Sequence, residues 1–295
     1  MAETHSAKVG VIGGSGFYEL LEHAREVRLD TPFGDPSDSY FLGEIGGVPV
    51  AFLPRHGRGH RILPSEVNYR ANVWGMKKLG VRYLLSASAV GSLREELEPL
   101  HIVVPDQLYD RTKARPSTFF GDGVVVHMGF ADPFCRYASQ LVAAAGRAAG
   151  ATVHEGGTYV CIEGPQFSTR AESELHRSWG ASLIGMTVMP EAKLAREAEI
   201  CYALVALPTD YDCWKPHPAS LDQAKLIEEI LGHVRAATQN ALELIRRAIP
   251  RIAEVSEKPC ACQSALALAI WSDRSRIPPE TKERLRPLLA KYVST

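Results

Sequence analysis

An uninterrupted apolar run, Cys201-Tyr-Ala-Leu-Val-Ala-Leu207, stops abruptly in Thr209-Asp210-Tyr211-Asp212-Cys213-Trp214, and this junction constrains the chain more than any other feature. An apolar run of strand length without alternation reads as a buried strand, the kind found in sheets covered by helices. The acidic cluster at its exit places two carboxylates one residue apart. If the strand persists, Asp210 and Asp212 share a face. A protonated carboxyl there donates to a ring nitrogen while its neighbour accepts from an exocyclic amine, which suits a site that grips a nitrogen heterocycle. The bland alternative is a pair of turn aspartates.

The rest of the chain alternates in the same way. Lys8–Ile12 reads as a first strand ending in Gly13-Gly14-Ser15-Gly16. Runs 39–45 and 48–53 flank Gly46-Gly47 and read as a hairpin closed by a two-residue turn. Pro64 and Ser65 are expected to cap a helix carrying Val67, Ala71 and Trp74, with Gly80 ending it before a strand at 83–89. Further strands are expected at 102–108, 159–162 and 201–207, and helices at 133–149, 170–179, 191–199 and 221–248. This pattern predicts an α/β fold, a single domain spanning residues 1–295, with a central β-sheet flanked by helices on both faces. Residues 250–295 are read as a helical C-terminal extension of that domain.

With 295 residues and 45% hydrophobic content, the chain can bury a large core. Its 33 basic and 34 acidic residues balance to a net charge of −1, which argues against a nucleic-acid partner and for a small molecule. No signal peptide is evident, and no apolar run approaches the roughly 20 residues needed to cross a bilayer, so a cytoplasmic, membrane-free protein is expected. Six cysteines fall mostly inside apolar segments, as buried thiols in a reducing compartment do. Cys260-Ala-Cys262 stands apart: it is compatible with a strained disulfide, with half of a metal site, or with two free thiols near an exposed connection.

In open α/β sheets ligands bind beyond the carboxyl ends of strands, and four motifs occupy such positions. The glycine turn at 13–16 offers backbone N–H groups and the Ser15 hydroxyl to an oxyanion, or is a simple tight turn. It is not a dinucleotide fingerprint, since the third glycine would fall at Glu19. Arg55-His56-Gly-Arg58-Gly-His60 supplies four cationic or potentially cationic groups, which favours phosphate. A metal on His56 and His60 is disfavoured, because the intervening glycines argue against a helix and the HExxH glutamate is missing. Ser86-Ala-Ser88-Ala89 is either an anion cradle or close packing. Phe167, after Glu163-Gly-Pro, either stacks on a purine or belongs to the core.

Taken together, these residues resemble the purine nucleoside phosphorylase superfamily and, within it, the 5′-methylthioadenosine phosphorylase family. The resemblance runs from about residue 8 to 217 through Gly-Gly-Ser-Gly16, Thr31-Pro-Phe-Gly34, Arg55-His56, Val67-Asn-Tyr69, Gly91-Ser-Leu-Arg-Glu95, Glu163-Gly-Pro, Arg170-Ala-Glu172, Met186-Thr187 and Thr209–Trp214. It implies a central mixed sheet, a homotrimer, and phosphorolysis of methylthioadenosine to adenine and 5-methylthioribose 1-phosphate without metal or organic cofactor. It also implies that phosphate meets Ser15, Arg55, His56, Ser88, Ala89 and Thr187, and that ribose lies over Met186. Phe167 would lie against the base, Asp210 and Asp212 would hold adenine with Asp210 as acid, and His60 would join the substrate side. Leu221 and Ala224 would form the 5′-pocket, and His127 would reach the neighbouring subunit's site. The family usually carries Thr where Ser15 and Ser88 stand, and after His217 this chain is two residues shorter.

Relatives acting on 6-oxopurines generally carry Asn where this chain has Asp210 and Glu where it has Ser168. A 6-oxo group needs a donor and a 6-amino group an acceptor, so adenine is expected, with a 6-oxopurine or methylthioinosine phosphorylase as the alternative. A nucleotide-dependent oxidoreductase is disfavoured by Glu19. A non-catalytic nucleoside binder would not need Arg55 and His56 beside an anion loop.

Overall fold

The computed structural model describes residues 6–216 and 223–294. In chain order its elements are β1 (Val9–Gly13), β2 (Glu22–Val27), β3 (Tyr40–Ile45), β4 (Val48–Pro54), α1 (Tyr69–Lys78), β5 (Tyr83–Ser92), β6 (Ile102–Val104), β7 (Gln107–Arg111), α2 (Arg136–Ala148) and β8 (Val153–Glu155). There follow β9 (Thr158–Ile162), α3 (Arg170–Ser178), β10 (Leu183–Gly185), α4 (Val188–Glu197), β11 (Cys201–Asp210), α5 (Gln223–Val255), α6 (Pro279–Arg284) and α7 (Arg286–Leu289). All strands join one mixed sheet in the order β2-β3-β4-β1-β5-β10-β9-β7, with β11 also paired to β5, β6 paired to β11, and β8 to β6.

The centre is parallel: β5 lies between β1 and β11, with Tyr83 beside both Val9 and Cys201. β11 is covered on both faces, as its apolar run requires. Cys201, Ala203, Val205 and Leu207 pack with α2 and α5, whereas Tyr202, Leu204 and Ala206 pack on the face that holds α1, α4 and the C-terminal residues Leu285, Leu288 and Leu289. α5 seats Ala237, Ala241, Leu244, Ile245 and Ala248 against the sheet at three- and four-residue intervals.

The Gly46-Gly47 turn adopts φ +56° and +75°, which glycine permits, and it closes the β3–β4 hairpin in the expected register, Ile45 opposite Val48. Several boundaries differ from the sequence reading. α1 starts at Tyr69, because Asn68 rather than Ser65 accepts the capping bond, from Ala71 N–H. The strand expected at 102–108 divides at Pro105 into β6, which pairs with β11 and β8, and β7, which pairs with β9. β2, polar and mostly exposed, gave no alternation to detect, and β8 and β10 are only three residues long. Beyond Val255 the chain forms short 3₁₀ turns and the brief helices α6 and α7.

Candidate active site

β1, β4, β5 and β11 run parallel in the sheet's centre, so the loops after them meet at one edge. There a cavity of about 510 Å³ opens, lined by Gly14, Gly16, Arg55, His56, His60, Ser88, Ala89, Phe167, Ser168, Met186, Thr187, Asp210 and Asp212, and by Ile230, Leu231, Val234 and Thr238 of α5. Motifs separated by more than 150 residues of sequence thus share one space.

The Arg55 side of the cavity is built on an ion pair that sequence reading missed. Arg55, at the exit of β4, is 2% exposed and Glu191 of α4 is fully buried. Arg55 Nε donates to Glu191 Oε2 at 2.9 Å and Nη2 to Oε1 at 3.1 Å, while Nη2 also reaches Ser86 Oγ at 2.6 Å and Nη1 reaches Ala87 O at 3.1 Å. Ser86 and Tyr202 hydroxyls donate to Glu191 Oε1 as well, at 2.6 and 2.8 Å. Burial alone would lower the Arg55 pKa, but the Glu191 carboxylate outweighs it and holds the guanidinium charged. Arg55 therefore lines the cavity with most of its donors committed, and Nη1 keeps a second N–H to offer. The available signal for Glu191 was a carboxylate between Val188-Met189-Pro190 and Ala192: a charge inside a buried apolar helix requires a cation.

The basic loop is less cationic than its sequence implies. His56 donates Nδ1–H to Ile62 O at 2.8 Å, and burial, then the Arg55 charge, push its pKa down to about 4, so it is neutral at pH 7 with Nε2 as acceptor. His60 stacks on it with ring centroids 4.5 Å apart. Arg58 turns away to the surface, where it pairs with Glu26 and Asp38. Hydroxyls supply what the charges do not: Ser88 Oγ lies 3.1 Å from Thr187 Oγ1, both buried on the cavity wall next to Ala89. Gly14 and Gly16 complete this wall; the Ser15 hydroxyl is not among the described side chains.

The carboxylate side of the cavity lies at the end of β11. A register shift between Pro208 and Asp210 sets Asp210 opposite Gly91. A Cβ on Gly91 would come within 3.2 Å of Asp212 Cβ and 3.4 Å of Asp210 Oδ1, so the bare glycine lets both aspartates settle over β5. Asp210 accepts from Thr209 Oγ1 at 2.8 Å and from Asp212 N–H at 2.7 Å. Burial, with the neighbouring Asp210 charge, raises the Asp212 carboxyl above its usual range. Asp212 Oδ2 and Ser168 Oγ are buried without a hydrogen-bond partner among the described residues. The loop is pinned by Trp214 Nε1 donating to Ser92 O at 2.8 Å, with the Arg177 guanidinium 3.5 Å from the Trp214 ring centroid. His233 of α5 sits 2.8 Å from Thr209 O and ties that helix to the strand end.

Met186 and Phe167 also line the cavity. Arg115, also missed, donates from Nη1 to the carbonyls of Met186 and Met189 and pairs with Glu163 at 3.0 Å, fixing the segment that carries Met186 and Thr187. Phe167 is 85% exposed at the mouth, outside the core. Of the residues expected at the 5′-pocket, Leu221 lies outside the described residues, and Ala224 is exposed and absent from the cavity wall. Among the described side chains, Ile230, Leu231 and Val234 of α5 line this wall. His127 is exposed and outside this cavity, with its ring edge-on to Trp271 at 4.8 Å.

The family model described as Phosphorylase superfamily matches residues 8–250. The chain belongs to this superfamily. S-methyl-5′-thioadenosine phosphorylase of Geobacter sulfurreducens is 57% identical over 288 residues, covering 97% of this chain and 99% of that one. Its counterpart from Koribacter versatilis is 52% identical, covering 97% of each. Among solved structures, a methylthioadenosine phosphorylase from an antarctic soil metagenomic library superposes with a TM-score of 0.89 at 49% identity, over 97% of this chain and 99% of that one. A methylthioadenosine phosphorylase from Schistosoma mansoni, in complex with adenine, gives 0.82 at 37% identity, over 90% of this chain and 99% of that one. The mixed sheet with flanking helices is therefore the superfamily's fold. No described helix is long and apolar enough to cross a membrane.

Proposed function

We propose that this protein is an S-methyl-5′-thioadenosine phosphorylase, a pentosyltransferase that yields adenine and 5-methylthioribose 1-phosphate. The observation that carries the reading is a single cavity holding a paired-carboxylate end, Asp210 and Asp212, a hydroxyl-lined anion end, Ser88, Thr187 and Arg55, and an apolar α5 wall. The superfamily relatives at 52–57% identity bear the same activity in their names.

In the route these groups support, the C1′–N9 bond breaks with its electron pair passing to the purine, and a proton from the aspartate pair goes to N7. Burial and the Asp210 charge shift Asp212 toward its protonated form, and Asp210 is the contact to N7. Phosphate, held by Ser88, Thr187, the backbone at Ala89 and the remaining Arg55 N–H, attacks C1′ from the opposite face and offsets its positive charge. Neutral His56 presents Nε2 as an acceptor for a phosphate O–H. Met186 packs under the ribose and Phe167 over the base, with His60 beside the sugar. Phosphate is a co-substrate, and the route needs no cofactor.

The 6-oxopurine alternative is disfavoured because the described cavity wall holds no Asn or Gln to donate to a 6-oxo group. Incubation with methylthioadenosine, with and without phosphate, is the test. Adenine release that depends on phosphate supports the reading, and release without phosphate, or cleavage of inosine alone, would sink it. We further infer a cytoplasmic homotrimer in which exposed His127 reaches the neighbouring cavity, so sedimentation as a monomer would remove that role.

A further inference from the structure

At the opposite end of β11 from the cavity, four sulfurs converge. Cys135, Cys201, Cys260 and Cys262 place their Sγ atoms all within 4.8 Å of one another, and the Cys135–Cys260 separation is 3.7 Å. Three chain segments deliver them. Cys201 is the first residue of β11; Cys135 caps α2 and donates its N–H to Tyr202 O at 2.7 Å; Cys260 and Cys262 enter a 3₁₀ turn after α5. The geometry points to a structural zinc site ligated by these four thiolates.

Four sulfurs at about 2.3 Å from a tetrahedral zinc lie roughly 3.8 Å apart, so the tetrad is already near the spacing that the ion demands. A disulfide needs sulfurs about 2.05 Å apart, whereas the Cys135–Cys260 separation is 3.7 Å and all four cysteines are free thiols. Cys135, Cys201 and Cys262 are buried and Cys260 is half-buried, which suits a closed site without a water ligand. Groups that offset the thiolate charge are in place: Cys135 stands at the N-terminus of α2, and Gln263 Nε2 donates toward Cys201 Sγ at 3.8 Å while its Oε1 accepts from Arg82 at 2.6 Å. On binding, four S–H bonds break, four Zn–S bonds form, four protons leave, and zinc remains Zn(II) with no electron transferred.

The site is structural by position. At about 3.3 Å per strand residue, Cys201 lies roughly 30 Å from Asp210. It instead anchors the segment that follows α5, whose later residues hold the 125–127 loop through Trp271 N–H to Val125 O at 3.0 Å and His127 N–H to Ala269 O at 2.9 Å.

The experiment is metal analysis of the protein purified without chelator, followed by thiol titration in denaturant and chelator without reductant. One zinc per chain and six titratable thiols, matching the six cysteines, are expected, with X-ray absorption showing four sulfurs at about 2.3 Å. Cys260→Ser/Cys262→Ser should lose the zinc and raise amide exchange around 124–127 and 260–272, leaving β11 near Asp210 protected. If that variant does not fold, the wild-type metal content and absorption spectrum decide alone. Iron in place of zinc, a metal-free protein with six free thiols, or one whose cysteines are paired as disulfides so that only Cys161 and Cys213 titrate would each overturn the proposal.

Discussion

Arg55 and Glu191, 136 positions apart in sequence, form a forked ion pair at the cavity wall that Arg55 lines, at 2.9 and 3.1 Å, with exposures of 2% and 0%. This pairing makes Arg55 a structural residue as well as a candidate phosphate contact. Removing one partner leaves an uncompensated buried charge, so Arg55→Ala or Glu191→Ala should each cost about 3–5 kcal/mol of stability. The double variant Arg55→Met/Glu191→Leu should lose much less. Urea unfolding of the three proteins checks this, and wild-type stability in Arg55→Ala would refute the pairing.

Because Arg55 variants mix stability with binding, the anion site is better probed at its hydroxyls. Ser88→Ala and Thr187→Ala each remove one neutral hydrogen bond of about 0.5–1.5 kcal/mol, or roughly two- to tenfold. The expected result is a KM for phosphate raised by that factor with little change in the KM for methylthioadenosine. An unchanged phosphate KM in both variants would place the anion elsewhere.

At the base end, Asp210→Asn replaces an acceptor by a group that donates and cannot serve as acid. Methylthioadenosine cleavage should fall by about a hundredfold or more, the usual contribution of a general acid. The ratio of inosine to methylthioadenosine turnover should rise, further with Ser168→Glu. A double variant that keeps the wild-type ratio would show that specificity does not reside in this pair.

The apolar α5 wall should favour methylthio over hydroxyl at the 5′-position, since an unpartnered buried hydroxyl costs about 1–3 kcal/mol. Leu231, 51% exposed at the mouth, can be changed with little risk to the core. Leu231→His should narrow the gap in kcat/KM between methylthioadenosine and adenosine. Equal use of both nucleosides by the wild type would mean that this wall does not meet the 5′-group.

Glu197 predicts a pH effect away from the cavity. Burial raises its pKa to about 7 from an ordinary value of 4.5, although it accepts from Phe119 N–H at 2.8 Å and Thr118 Oγ1 at 2.7 Å. The folded state therefore binds the proton more tightly, and this contribution to stability is lost as pH rises through about 4.5 to 7. The shift corresponds to about 3 kcal/mol. His56 works in the opposite sense: with a folded pKa near 4, its contribution is lost as pH falls through 6.5. Glu197→Gln keeps the acceptor and removes the titration, so its stability relative to wild type should improve between pH 5 and pH 8. A relative stability independent of pH would refute the assignment.

The sequence by itself determined what depends on neighbours along the chain. Apolar runs and glycine breaks set the central strands, and because parallel strands end at one edge, the motifs after β1, β4, β5 and β11 had to meet there. The polarity of Asp210 and Asp212 is likewise a property of residue type. What only the tertiary structure decided depends on partners distant in sequence. Edge strand β2 lacks alternation because it buries almost nothing, and the break at Pro105 matters because β6 and β7 find different neighbours. The Glu191 fork on Arg55, the Arg115 clamp on Met186 and Met189, the neutrality of His56, and the meeting of Cys135 and Cys201 with the Cys260-Ala-Cys262 turn follow from sheet order and burial. Ion pairing, desolvation and sulfur convergence vary with distance through space, and local periodicity carries no information about that distance.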